Sequence, residues 1–208
     1  MPEYRFLLFG FGLCACAVAG SPPGSQTPPP AAESEEQVVV PTRTERLESS
    51  RHLLSIEVQA NSGWRAEPGG DWWVLRRPGE SLLLRTWRAG RLIARTDCER
   101  QMRLWRPETT KLEADELLGI QEMEAPKGFS TVMHIGVRAL ADDSIEGFVL
   151  AFGAMPGRCF AAVYETKFAG AGAEAKLGAR LADVSEVLLP RVQVRTVADR
   201  TGREPPPF

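Results

Sequence analysis

Histidine and tyrosine occur only twice each in the 208 residues, and cysteine four times. Neither His52 nor His134 stands at ligand spacing from a cysteine, and there is no Cys-x-x-Cys or His-Glu-x-x-His, so no metal or thiol-redox site is expected. Gly-x-Ser-x-Gly, the P-loop and the dinucleotide-binding Gly-x-Gly-x-x-Gly are missing too, which removes the best-marked hydrolase and nucleotide chemistries and leaves no cofactor to expect. The net charge of −2 lacks the basic footprint of a nucleic-acid binder. Asp142 and Asp143 fall in a predicted hairpin turn, where aspartate serves turn geometry. His134 lies within an apolar strand, where a hydrogen-bonded core or surface histidine is the ordinary reading. No catalytic, cofactor-binding or metal residue is assigned, and an enzyme built from distant carboxylates stays as a last alternative.

What the chain does have begins with an apolar run, Phe6 to about Ala19, preceded by Arg5. A permanent membrane helix needs about 20 residues, so this run has instead the length of a secretory leader. Within it, Leu13-Cys14-Ala15-Cys16 resembles the lipobox of bacterial lipoproteins. The resemblance implies cleavage after residue 15 and lipidation of Cys16, with acyl chains worth about 0.8 kcal/mol per buried methylene as the membrane anchor. Ala17, rather than aspartate, follows that cysteine, which by the sorting logic of the family implies the outer membrane, facing the periplasm. Two alternatives stand beside it. Ala17-Val18-Ala19 before Gly20 also fits ordinary secretory cleavage and a soluble secreted protein, and a buried helix of a cytosolic protein is the other.

Ser21 to Gln37 consists almost wholly of Ser, Pro, Gly, Gln, Thr, Ala and Glu. Such a segment cannot bury enough apolar surface to offset its ordering entropy, so it reads as a tether. The expected organisation is a signal peptide over 1–15, lipid attachment and tether over 16–37, one domain over 38–196, and a polar Pro-rich tail over 197–208. About 160 residues suffice for a single core.

Within the domain, residues 38–46 have no clear pattern, whereas Leu54, Ile56 and Val58 alternate as one face of a strand. Trp72 to Arg76 and Ser81 to Trp87 read as a hairpin through Pro78-Gly79, with glycine taking positive φ, and the N-terminal half as a meander. Thr96 and Glu99 fit a capping box opening a helix that buries Cys98, Met102 and Trp105 and stops at Pro107. Leu117 to Met123 is a short strand or helix. Phe129 to Leu140 is a strand, and Ile145 to Phe168 a long hairpin punctuated by Pro156-Gly157. Leu177, Leu181, Val184 and Leu188 recur at helical spacing, and Arg191 to Arg195 alternates as a last edge strand.

The sum is an α+β domain: a mostly antiparallel sheet of about six or seven strands, packed by a C-terminal helix and a second, shorter helix. The order of elements resembles the Mog1/PsbP-type sandwich, a fold of extracytoplasmic domains. In an oxidising compartment Cys98 and Cys159 are expected to pair, closing a loop worth about 4 kcal/mol in the chain-entropy model, a buried free thiol pair being the alternative.

Adjacent Trp72 and Trp73 must point to opposite sheet faces. An exposed indole beside Arg76 and Arg77 forms the candidate ligand surface, suited to a sugar ring or an anionic envelope component. The alternative is a second tryptophan covered by residues 38–46 or by the helix around Trp105. The many arginines between Asp71 and Pro107 and the acidic stretch after it read as complementary solvated faces. The leading function is a non-catalytic, membrane-anchored lipoprotein domain that contacts another envelope protein. The alternative is a secreted or tethered ligand- or polysaccharide-binding module.

Overall fold

The structure is a computed structural model that describes residues 43–67 and 70–195. The leader, Cys16, the tether and the tail lie outside the described residues. All described residues belong to the second of the two units into which the chain divides, Pro41–Phe208.

Among the described residues, ten strands and two α-helices follow one another as β1 (Thr44–Ser49), β2 (Leu54–Gln59), β3 (Arg65–Glu67), β4 (Trp73–Arg77), β5 (Glu80–Arg88), α1 (Arg95–Trp105), β6 (Leu117–Met123), β7 (Ser130–Ala139), β8 (Ser144–Met155), β9 (Arg158–Ala169), α2 (Ala173–Ala182) and β10 (Val192–Val194). Seven form one sheet in the order β3-β4-β5-β9-β8-β7-β6, and three form a second, β1-β2-β10. All neighbours are antiparallel. The fold is therefore α+β, as the sequence leads one to expect.

The β8–β9 hairpin is at the centre because its strands are apolar on both faces. Val149 and Ala151 belong to the core on one side, and Leu150 and Phe152 to the core on the other. A sheet covered on both faces needs such uninterrupted apolar runs. Gly157 closes the hairpin at φ +80° and Gly79 closes β4–β5 at φ +77°, a region that L side chains rarely adopt.

The three-stranded sheet and α2 cover the first face. Here the structure corrects the expectation of a single N-terminal meander: β2 leaves the large sheet and pairs with β10 and with β1, a strand that its charged sequence, Thr-Glu-Arg-Leu-Glu-Ser, does not announce. The predicted apolar face of β2 is right, with Leu54, Ile56 and Val58 all buried against the large sheet. Leu177, Leu181, Val184 and Leu188 all face this core. To keep them there the chain passes from α2 into wider π-helical turns over Asp183–Leu188 and a 3₁₀ turn at Leu189–Arg191.

On the second face α1 packs Met102 against Leu150, Phe152, Ala161 and Val163. Cys98, fully buried, bonds Cys159 of β9 with an S–S distance of 2.03 Å and Cα atoms 5.5 Å apart, so the helix is covalently fixed to the sheet. Two details of this helix differ from the sequence reading. Ala94 is the N-cap, and its N–H donates to Asp97 Oδ2 at 3.3 Å; Glu99 turns instead to Arg103 at 2.9 Å. Trp105 is 46% exposed. The helix ends there, at the margin of the apolar ridge, so the last position of its stripe overhangs a groove.

Candidate functional site

The tryptophan–arginine surface expected around residues 72–77 does not form as one exposed patch. Trp73 lies in the core facing the small sheet, and Trp72 is only 9% exposed. Alternation does send the two indoles to opposite faces, Trp73 to the core under the small sheet and Trp72 to the cluster on the α1 side. Arg77, on the same face as Trp73, is buried as well. Its Nε donates to Glu80 Oε2 at 2.7 Å, its Nη1 donates to Asp183 Oδ2 at 2.8 Å, and its guanidinium lies 4.5 Å from the Trp64 ring centre. Burial pulls the Arg77 pKa down, but these carboxylates outweigh it and raise it overall. Glu80 also accepts from the Tyr164 hydroxyl at 2.7 Å and ion-pairs with Arg180 at 3.0 Å. This cluster ties β4, β5, β9 and the turn after α2 together, with every charge matched. Of the four candidates only Arg76 is at the surface, paired with Glu67 of β3 at 2.7 Å.

A different arginine completes a tryptophan site. On β5, one pair beyond Trp73↔Leu84, Arg85 rises on the α1 side of the sheet. Its guanidinium carbon lies 4.2 Å from the centre of the Trp105 ring and 5.9 Å from that of Trp72. Trp105 in turn meets Trp87 edge to face at 5.1 Å, and Gln101 accepts the Trp87 indole N–H at 2.7 Å. The result is a groove of about 400 Å³ lined by Asp71, Trp72, Arg85, Trp105, Arg106 and Glu108. Sequence reasoning missed Arg85 and Trp105. The available signal was the pairing of β4 with β5, which sets Arg85 beside Trp72 once the Pro78-Gly79 turn fixes the register.

A second exposed feature lies at the far edge of the sheet. β6 is the last strand, hydrogen-bonded to β7 alone. Leu118 and Ile120 project from it, 68% and 57% exposed. The apolar contacts of α1 reach β8 and β9, and an ion pair between Arg95 and Glu122, at 2.9 Å, links the helix to β6. Next to this strand a cleft of about 530 Å³ is lined by residues including Glu122, Glu124 and Phe129.

The titratable groups offer no convergent catalytic arrangement among the described residues. Burial raises the Glu165 pKa, which Arg106 lowers and Glu146 and Glu108 raise further, the usual mark of an acid–base group. Yet Glu165 has an Oε1 without a hydrogen-bond partner and lines none of the clefts described here. His134 is half-buried, edge to face with Phe152 at 6.4 Å. Asp142 is pulled down to about 2 by Ser144 and then Lys167, within the turn that joins β7 to β8. Among the described residues no group of three or more His, Cys, Asp or Glu is placed to hold a metal ion.

No family model matches the chain, and no curated protein matches it. Among solved structures it is similar to cyanobacterial PsbP (CyanoP) from Synechocystis sp. PCC 6803, at 11% identity and a TM-score of 0.41, over 73% of this chain and 94% of that one. The likeness is too distant to carry an activity or a partner. The fold class rests on the strand order and helices described above.

Proposed function

We propose that this chain is an extracytoplasmic domain, lipid-anchored at Cys16 at the outer membrane, that works by engaging a protein partner along the free edge of β6 and carries out no chemistry of its own. The observation that carries this reading is the pair Leu118 and Ile120, 68% and 57% exposed on a seven-residue edge strand.

An edge strand presents unpaired N–H and C=O groups, and folded chains usually blunt it with charge or shortness. The other edges here follow that practice. β3 has three residues, with charged Arg65 and Glu67; β10 also has three; β1 carries Glu45, Arg46 and Glu48. β6 is the longest of these edges and carries two exposed apolar side chains, although its register is irregular at Leu118 and Glu122 adds a charge. A partner strand laid against it would gain main-chain hydrogen bonds from the edge and apolar contacts from Leu118 and Ile120. The compartment is supported by the leader with Leu13-Cys14-Ala15-Cys16 and by the buried Cys98–Cys159 bond, a pairing that belongs to oxidising surroundings.

Two measurements test the proposal. The intact mass of the native protein should begin at Cys16 with diacyl or triacyl additions; a mass beginning at Gly20 without lipid removes the anchor and leaves a secreted binder. A photo-cross-linking side chain placed at Ile120 in the native envelope should give a discrete protein adduct that Leu118→Lys abolishes. No adduct at Ile120, or the same adduct from exposed Glu57 of β2, overturns the partner reading.

A further inference from the structure

The groove beside α1 contains a charge without a partner. Arg106 is matched by Glu108 at 3.1 Å and Arg51 by Asp71 at 3.4 Å. Arg85, half-buried, has no ion-pairing carboxylate among the described residues. The indoles of Trp105 and Trp72 stabilise its guanidinium through their π faces, but a ring cannot accept the in-plane N–H donors. His52, close to this arginine, has its pKa lowered by burial and then by Arg51 and Arg85, so it adds no charge near neutral pH. The groove thus holds a guanidinium with a donor fork and no ion-pairing carboxylate, beside a tryptophan that is 46% exposed.

We infer that this groove is a binding site for a carboxylated sugar ring, of the uronic-acid type. The ligand carboxylate takes the donor fork of Arg85, the match for which guanidinium geometry is suited. The apolar face of the ring lies on the exposed part of Trp105. Asp71 and Glu108 at the rim accept hydroxyl donors from the same ring and disfavour ligands of higher negative charge, which selects a monoanion rich in hydroxyls over a phosphate. The volume, about 400 Å³, is within the range of small-ligand sites. The site shares no residue with the β6 edge.

The test is calorimetry and intrinsic tryptophan fluorescence on the full chain, with monomeric galacturonate as probe and maltotetraose and inorganic phosphate as comparisons. The galacturonate should give a saturable change in tryptophan emission that weakens with added salt, while maltotetraose gives none. Arg85→Gln should weaken binding about tenfold or more, the effect of losing hydrogen bonds to a charged group. Arg76→Gln, outside the groove, should bind as the parent does. If Arg85→Gln does not fold, Trp105→Ala, at a half-exposed position, should show the same loss. The inference is overturned by absence of a saturable change with galacturonate, by equal binding after Arg85→Gln or Trp105→Ala, or by phosphate binding as tightly as the sugar acid.

Discussion

The hydroxyl of Tyr164, on β9, donates to Glu80 at 2.7 Å, and the same Glu80 oxygen accepts from Arg77 Nε at 2.7 Å. One carboxylate, its side chain 4% exposed, thereby satisfies a phenol and a buried guanidinium. Burial first, and then the neighbouring Glu80 charge, push the Tyr164 pKa up, so the phenol stays a neutral donor. Removing Glu80 leaves buried Arg77 with Asp183 as its one carboxylate partner and takes the acceptor from Tyr164. Glu80→Ala should cost about 3–5 kcal/mol, the range for breaking a buried pair from one side. Tyr164→Phe, which removes one hydrogen bond to a charged acceptor, should cost about 1.5–3 kcal/mol, and less in the Glu80→Ala background. Urea unfolding of the two single variants and the double variant measures both values and their coupling.

The disulfide spans a sequence separation of 61 residues, which the chain-entropy model values at about 4 kcal/mol. Replacing Cys98 and Cys159 together by alanine should lower the denaturation midpoint by a corresponding amount. Because both sulfurs are buried, reductant alone should act slowly on the native protein and quickly once denaturant opens it. Thiol trapping with and without urea distinguishes the two rates.

His52 makes stability depend on pH. Its folded pKa lies below the ordinary 6.5, through burial and then Arg51 and Arg85, with Asp71 and a backbone hydrogen bond at Gly70 opposing. As pH falls through about 6.5 the unfolded chain takes up a proton before the folded one does, so this contribution is complete above that value and is lost on acidification. His52→Gln should flatten the fall in stability just below pH 6.5, read as melting temperature across a pH series. An equal slope in parent and variant would assign the fall to other groups.

Gly147 of β8 lies directly beneath α2. A Cβ there would run into the Leu177 side chain and press on Leu181. Gly147→Val should therefore destabilise by about 1–3 kcal/mol, the usual cost of overpacking. Faster amide exchange in α2, with α1 little changed, would locate the damage. Val at Gly178, where a Cβ meets nothing within 4 Å, is the comparison position.

The strand-and-turn grammar was legible from residue pattern alone. Leu54, Ile56 and Val58 alternate because one side of a strand faces apolar material, and Pro156-Gly157 and Pro78-Gly79 mark turns whose glycines adopt positive φ. The pairing of Cys98 with Cys159 was legible as well, because the expected export implies an oxidising compartment and only these two cysteines lie beyond the expected leader. β1 escaped notice because an exposed, charged edge strand has no apolar alternation to announce it. The cap was misplaced because Thr96 and Glu99 satisfy the capping pattern, while the helix is capped two residues earlier, with Asp97 holding the Ala94 N–H.

Local sequence, then, determined which segments become strands and helices, where they turn, and which positions are apolar, since these follow from interactions between near neighbours in the chain. Which apolar and charged positions end up covered was decided by tertiary packing alone. Trp73 is covered by the small sheet and Trp72 by the cluster on the α1 side, and Arg77 is buried because Glu80 across the turn and Asp183, from a distant segment, converge on it. Arg85 stays half-open and unmatched, and Leu118 and Ile120 stay exposed because the apolar contacts of α1 end at β8 and β9. Exposure depends on the extent of each covering layer, a property of the assembled layers that no single stretch of residues encodes.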